Sequence, residues 1–411
     1  MDRSLTYLGV RPTDSRTAAE VLRALRPALD GSGPALAPWS AGSTGQNRPH
    51  GPARQTGHPT DPDPRVPDEV ALVVRTSGST GTAREVLLDR AALTASAEAT
   101  HARLGGPGRW LLALPLTHVA GLQVLVRSIL AGTDPLVVTA GAGPAALARA
   151  VDQHRADVPL YTSLVPTQLQ RVLAGIEATG GLPADLAPLR RLEAILVGGA
   201  AAPGTLLDRA RDQGLRVVTT YGMTETSGGC VYDGLPLDPI TVDVSHGIVR
   251  LSGPVLARGY RDGQDDAFVL DAEGRRWFCT QDLGRIDQGM LSVTGRVDDI
   301  VVTGGEKVAP AVVEAVIAGL PGVAQVCVVG VPDPEWGQAL TAVVVAEAGP
   351  GARTPPTLDQ LRSVVSRTLW GAAAPRHLLL VDALPERGPG KVDRVEVARR
   401  AVRAVRPPPS A

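Results

Sequence analysis

Two glycine-rich turns carry the residue types that handle phosphate and nucleotide. TSGSTGTARE (76–85) follows the apolar stretch Val70 to Val74. Its small and hydroxyl side chains leave backbone N–H groups and hydroxyls able to face a polyphosphate, with nothing bulky in the way. YGMTET (221–226) places a ring (Tyr221), a hydroxyl (Thr224) and a carboxylate (Glu225) within one turn after another apolar run. That trio suits a base, a phosphate and a magnesium ion. A third candidate is Lys391 in the loop GPGKVDR. Only two of the 41 basic residues are lysine, Lys391 and Lys307 of GGEKVAP, and both lie in glycine-rich loops. A compact ammonium is not replaced by a planar guanidinium at every phosphate or carboxylate site. These features point to ATP-dependent activation of another molecule. The GxxxxGK[ST] phosphate loop is absent, which argues against an ordinary P-loop NTPase.

The elements that must position these residues follow from the texture of the chain. At 411 residues it suits a large domain plus a small one. With 44% hydrophobic but only 3% aromatic residues, its interior must be built mainly from Ala, Val and Leu. From Val70 to Tyr221, short Val/Leu runs alternate with Ala-rich helical patterns, which predicts an α/β sheet with crossover helices and ligands at the strand C-termini. Beyond Tyr221, stretches such as GIVRLSG and GMLSVTG predict a β-rich subdomain. After GRVDD (295–299), helices near 309–319 and 358–370, with strands between and after them, predict a compact α+β unit. The expected division is 1–297 for the large domain and 298–411 for a small mobile one, joined by a hinge. Residues 1–39 show one amphipathic helical stretch, Thr17 to Leu29. Residues 40–68, polar and rich in Gly and Pro, are expected to be a flexible loop.

Composition also excludes partners. A net charge of −1 gives no electrostatic reason to expect nucleic acid or an anionic membrane surface. Cys230, Cys279 and Cys327 form no CxxC pair, against a disulfide framework or a thiolate metal site. No apolar signal core or membrane span is apparent, so a cytoplasmic protein acting on small molecules is expected.

The chain resembles the adenylate-forming superfamily of acyl- and aryl-CoA ligases, luciferases and carrier-loading adenylation domains, from about Val70 to about Ala401. TSGSTGTARE resembles its phosphate loop, PLTHVAG (115–121) its acid-pocket motif, VGGAAAP (197–203) its adenine strand and YGMTET its central motif. QDLGR (281–285) resembles its ribose-binding motif, GRVDD its hinge, and GPGKVDR (388–394) its catalytic-lysine loop. The resemblance implies ATP, Mg2+ and coenzyme A, and two half-reactions. A carboxylate, already ionised at neutral pH, attacks the α-phosphorus; a thiol then attacks the acyl-adenylate. It also implies roles. Thr76, Ser77, Gly78, Ser79, Thr80, Gly81 and Arg84 would hold the phosphates. Gly199 and Ala200 would wall the adenine, with Tyr221 stacked on it beside Gly222. Asp282 would bind the ribose with help from Arg296, and Thr224 the phosphate. Glu225 would hold magnesium, His118 would face the acid pocket, and Lys391 would bridge carboxylate and α-phosphate. Asp298 matches the hinge residue. Three positions depart from the family pattern: Arg84 for a lysine, Glu85 for a glycine and Gln281 for a glycine.

A narrower similarity, in YGMTETSGGCVYDGLPLD, YTSLVPTQLQRVL and the brief N-terminal region, is to the o-succinylbenzoate-CoA ligases of menaquinone biosynthesis, particularly the shortened actinobacterial type. It implies a keto-dicarboxylic acid substrate, for which Ser163, Thr167, Gln168 and Ser227 are the expected hydrogen-bonding pocket residues. Other readings are another aryl- or acyl-CoA ligase, a carrier-loading adenylation enzyme and a nucleotide-binding protein without turnover. A homodimer is compatible with all of them.

Overall fold

Five residues of the run VALVVRT are buried in the strand Val70–Thr76, as β-branched and apolar side chains on both faces require. A computed structural model of the chain describes residues 2–10, 14–40, 64–76, 84–139, 141–154, 158–177, 183–347, 352–388 and 391–405. Val70–Thr76 lies within a six-stranded sheet, pairing in parallel with Ala35–Ser40 and antiparallel with Arg84–Asp89. The sheet also contains Asp2–Val10, Arg65–Pro67 and Gly259–Tyr260. The helical stretch expected over Thr17 to Leu29 is thus present, and the strands Asp2–Val10 and Ala35–Ser40 add to what the sequence predicts for residues 1–39. The helix runs Ser15–Asp30, capped by Asp14, which accepts from the Thr17 N–H at 2.7 Å. Strands flank it on both sides and pair in parallel with each other. The flexible stretch expected over 40–68 is also trimmed: Ser40 ends a strand, and Arg65–Pro67 pairs with the start of Asp2–Val10. The part between, 41–63, lies outside the described residues.

The second sheet has seven strands, in the order Leu235–Pro236, Gly228–Tyr232, Val217–Met223, Ala194–Val197, Leu160–Leu164, Arg109–Leu112 and Leu136–Val137. From Val217–Met223 to Leu136–Val137 the neighbours are parallel. The crossover helices include Val119–Leu130, Pro144–Asp152, Pro166–Glu177 and Gly204–Asp212. The predicted α/β alternation is therefore present. Its core is mainly Leu, Val and Ala, with Trp110, Tyr161 and Tyr232 the largest fully buried side chains.

A five-stranded antiparallel sheet follows, in which Arg276–Asp287 is flanked by Ile248–Ser252, Phe268–Leu270 and Met290–Arg296. After the turn Val297–Asp299 the chain forms a smaller unit around the long antiparallel pair Val323–Asp333 and Gly337–Ala346, with His377–Val381 parallel to the latter. The period of two divides this sheet. Val328 packs with Val313, Ile317, Leu361 and Val365, whereas Cys327 and Val329 pack with Val397 and Ala401. Helices Pro310–Ala318 and Leu358–Thr368 thus cover one face and Arg394–Val405 the other. The fold is mixed α/β, with a large N-terminal domain containing a β-rich part and a smaller α+β C-terminal domain.

Candidate active site

Four of the singled-out stretches fall at the C-terminal ends of neighbouring parallel strands. PLTHVAG follows Arg109–Leu112, Ser163 to Gln168 end Leu160–Leu164 and begin the next helix, VGGAAAP follows Ala194–Val197, and YGMTET closes Val217–Met223. In an open α/β sheet this edge is where ligands bind. Backbones meet closely here. A Cβ on Gly198 would strike Thr220, and one on Gly222, whose φ is +157°, would strike the carbonyl of Gly228. Gly222 lies at a bulge between Val217–Met223 and Gly228–Tyr232, and the strand gives way to the short turn Thr224–Thr226.

Tyr221, Asp282 and Arg296 come together although distant in sequence. Asp282 and Arg296 are cross-strand partners. Arg296 donates to Asp282 Oδ1 at 2.9 Å and to Asp298 at 3.3 Å, and the Tyr221 hydroxyl donates to Asp282 Oδ2 at 2.8 Å. The Asp282 backbone N–H is held by Thr280 at 2.9 Å, so the carboxylate projects from a fixed point. Burial, and then the Asp282 charge, raise the Tyr221 pKa, keeping its hydroxyl protonated as a donor.

Glu225 is half-buried and accepts from the Tyr260 hydroxyl at 3.0 Å through Oε1. Burial raises its pKa, opposed by a backbone N–H and by the Tyr260 bond. Thr224 makes no side-chain hydrogen bond among the described residues. Among the described residues no cluster of three or more His, Cys, Asp or Glu could hold a metal alone. A lone carboxylate fits Mg2+ that keeps phosphate oxygens and waters as its other ligands, not an all-protein cage.

Ser77, Gly78, Ser79, Thr80 and Gly81 lie outside the described residues. Their flanks are placed: Thr76 pairs with Arg84 across the two strands, and its hydroxyl donates to the Arg84 carbonyl at 3.4 Å. The Arg84 guanidinium makes a two-point contact with Asp262, at 2.9 and 3.3 Å, and bonds the Gln264 carbonyl at 2.5 Å. Glu85 pairs with Arg261 at 3.1 Å. Two of the three departures are therefore reciprocal partners of one turn.

His118 occupies the N-cap position of Val119–Leu130 without a capping bond. The ring opens to solvent yet has enough protein around it to lose hydration. That desolvation, and then the positive charge of nearby Lys391, lower its pKa. The small domain's lysine thus lies within electrostatic reach of the large domain's crevice. Lys391 sits in the hairpin Glu386–Gly388 and Lys391–Val392. Three residues on, half-buried Arg394 binds Glu314 at 2.6 and 2.7 Å and Asp299 at 3.3 Å, tying the base of the lysine loop to the turn beside Asp298. Gly199, in the left-handed region at φ +80°, and Ala200 line the edge after Ala194–Val197.

Two of the expected pocket donors are used by the fold itself. Ser227 is fully buried and donates to the Val255 carbonyl at 2.9 Å. Gln168 accepts from the Val165 N–H and donates to the Ala113 carbonyl, both at 2.9 Å, closing the start of its helix. Ser163 and Thr167 make no side-chain hydrogen bond among the described residues. Tyr260, Thr280 and Arg394 were not singled out from the sequence. Arg394 stood inside a quoted motif, while nothing local marks Tyr260.

The fold and the crevice define an adenylate-forming architecture, and comparison with known proteins agrees. The AMP-binding enzyme family matches residues 11–260, and the AMP-binding enzyme C-terminal domain matches 312–391. The chain belongs to the AMP-binding enzyme family. It is 46% identical over 347 residues to a probable 2-succinylbenzoate–CoA ligase of Mycobacterium tuberculosis, covering 82% of this chain and 86% of that protein. It superposes on the O-succinylbenzoate coenzyme A synthetase of Bacillus subtilis in complex with AMP, with a TM-score of 0.66 and 28% identity, over 80% of this chain and 69% of that one. The amide bond synthetase McbA of Marinactinospora thermotolerans matches with a TM-score of 0.71 and 26% identity, over 96% and 79% of the two chains.

Proposed function

We propose that this enzyme joins o-succinylbenzoate to coenzyme A through an acyl-adenylate. The observation that supports the reaction type is the meeting of Tyr221, at the end of a strand of the parallel sheet beside Glu225 and His118, with Asp282 and Arg296 of the antiparallel sheet, and the charge of Lys391 is felt at His118. The likeness to 2-succinylbenzoate–CoA ligase supports the choice of acid.

In the first half-reaction an oxygen of the substrate carboxylate bonds to the α-phosphorus and the bond to pyrophosphate breaks. The attacking group is already an anion, so the residues are asked for charge neutralisation and alignment, not for a base. Asp282 receives the ribose hydroxyls, with its carboxylate plane set by Tyr221 and Arg296. Gly199 and Ala200 leave the adenine a flat wall. Thr76 and Thr224 donate to phosphate, and Lys391 spans the substrate carboxylate and the α-phosphate. Glu225 holds Mg2+, which when bound offsets charge on the phosphates. In the second half-reaction the coenzyme A sulfur bonds to the acyl carbon and AMP leaves. Lys391 has no part in that step, and the unit 298–411 turns about Asp298 to withdraw it. Ser163 and Thr167 remain as polar groups for the second carboxylate.

A panel of o-succinylbenzoate, benzoate and octanoate with ATP and coenzyme A, read by AMP release, tests the reading. A site built to bond the second carboxylate should favour o-succinylbenzoate by about 100-fold or more in kcat/KM. Equal use of the three acids would remove the substrate assignment. Release of AMP only when an amine replaces coenzyme A would favour an amide-forming enzyme.

A further inference from the structure

The two departures at the end of the phosphate-loop motif form one half of a clasp. Arg84 and Glu85 face Arg261 and Asp262 in crossed pairs, Arg84 with Asp262 at 2.9 Å and Glu85 with Arg261 at 3.1 Å. The Arg261 N–H also bonds the Glu85 carbonyl at 2.8 Å, and Arg261 reaches the Tyr7 hydroxyl at 2.6 Å. Between the two pairs of charges and Glu225 lies Tyr260. The Arg84 guanidinium carbon sits 3.4 Å from the centroid of its ring, and Phe268 packs edge-on against the ring at 5.7 Å. The Tyr260 backbone N–H is fixed by Asp265 at 2.7 Å. Tyr260 is 7% exposed, and its hydroxyl ends on Glu225 Oε1 at 3.0 Å.

We infer that Arg84 is a positioning residue: clamped by Asp262, it holds the Tyr260 ring so that the hydroxyl fixes Glu225, instead of serving as a cation for the triphosphate. The inference rests on the proposal that Glu225 holds the metal. Its chemistry requires arginine. A planar guanidinium can take a carboxylate at two points, bond a carbonyl and lie flat on a ring at the same time, whereas an ammonium cannot do all three. Arginine where the family has lysine then changes the task of the position, not merely its shape. Asp262 and Gln264 already engage Nε and Nη2, so moving this side chain to a phosphate would break the two-point pair and uncover the Tyr260 ring.

The test measures Mn2+ affinity in the complex of the full chain with ATP, by the electron paramagnetic resonance signal of free Mn2+, and ATP affinity in EDTA by calorimetry. Tyr260→Phe keeps the ring under Arg84 and removes only the hydroxyl. Asp262→Asn releases the clamp from an exposed position. Arg84→Met removes charge and fork. Each should weaken Mn2+ binding by about fivefold to tenfold while leaving metal-free ATP affinity within about twofold. Arg84→Lys should behave like Arg84→Met, and Arg84→Met combined with Asp262→Asn should be no worse than either alone. The opposite pattern would overturn the inference: Arg84→Met lowering metal-free ATP affinity about tenfold, with Asp262→Asn and Tyr260→Phe silent. Glu225→Gln separates the two claims. If it weakens Mn2+ binding and the clasp variants do not, the clasp alone fails; if it leaves Mn2+ binding unchanged, the metal assignment fails and the clasp with it. Should Arg84→Met not fold, Tyr260→Phe and Asp262→Asn still decide.

Discussion

Replacing Tyr221 by phenylalanine asks whether this residue serves the nucleotide through its ring or through Asp282. The substitution keeps the ring and deletes one hydroxyl, whose bond to Asp282 Oδ2 is 2.8 Å long. A hydrogen bond to a charged group contributes about 1.5–3 kcal/mol. Asp282 would keep Arg296 at 2.9 Å and is not left orphaned, so the lower end applies. About 1.5 kcal/mol corresponds to roughly a tenfold change in an equilibrium constant. We therefore expect Tyr221→Phe to weaken ATP and AMP binding about tenfold by calorimetry, because the carboxylate loses one of the two contacts that set its plane. The Tyr221 pKa is raised above the ordinary phenol value, so the hydroxyl is protonated across the working pH range. The effect should accordingly be the same from about pH 6 to about pH 9. Nucleotide affinity within about twofold of the parent would refute the positioning argument and leave Tyr221 as a ring face alone.

The placement of Lys391 by His118 gives a linked expectation. Lys391→Ala should suppress adenylation while presynthesised acyl-adenylate still reacts with coenzyme A. In the same variant the His118 pKa, followed by NMR, should rise toward the ordinary value, since a lowering charge has been removed. Equal loss of both half-reactions, or an unmoved His118 titration, would contradict this placement. Gly222→Ala should cost about 2–4 kcal/mol in urea unfolding, because the new Cβ meets the backbone of Gly228 at φ +157°; a loss below about 1 kcal/mol would show that the bulge yields.

What could be read from sequence divides along physical lines. The parallel strands were legible because Ala194–Val197 is a short, wholly buried apolar run ending at glycines, and Leu160–Leu164, also wholly buried, carries the β-forming Tyr161 and Thr162 just after a proline. Asp2–Val10 was not, since it alternates buried and exposed positions only at its start, and its partner Ala35–Ser40 contains a proline. The helix between them, with its capping aspartate, gave the stronger local signal. Asp282 and Arg296 were legible as separate motif residues, but their pairing belongs to the sheet register. The clasp was hidden altogether: Arg84 and Asp262 are 178 residues apart, and a pair at that separation leaves no local pattern. Ser227 and Gln168 show the converse. Their types announce hydrogen bonding, and only the fold shows that backbone groups take it up.

The scarcity of lysine has a chemical consequence for an enzyme that builds a reactive mixed anhydride. An acyl-adenylate that escapes its site acylates amines and thiolates, and guanidinium groups, protonated at any working pH, are poor targets. This chain offers two lysine side chains in 411 residues, both exposed. Two of its thiols, Cys230 and Cys327, are buried, with pKa values pushed up to about 12. In the proposed first half-reaction Lys391 would stand beside the very group it could attack, and an ammonium held between the substrate carboxylate and the α-phosphate would not be a nucleophile. The arginine-rich surface is thereby largely inert toward the enzyme's own intermediate, and Lys307 is the one lysine besides Lys391 that such an intermediate could acylate.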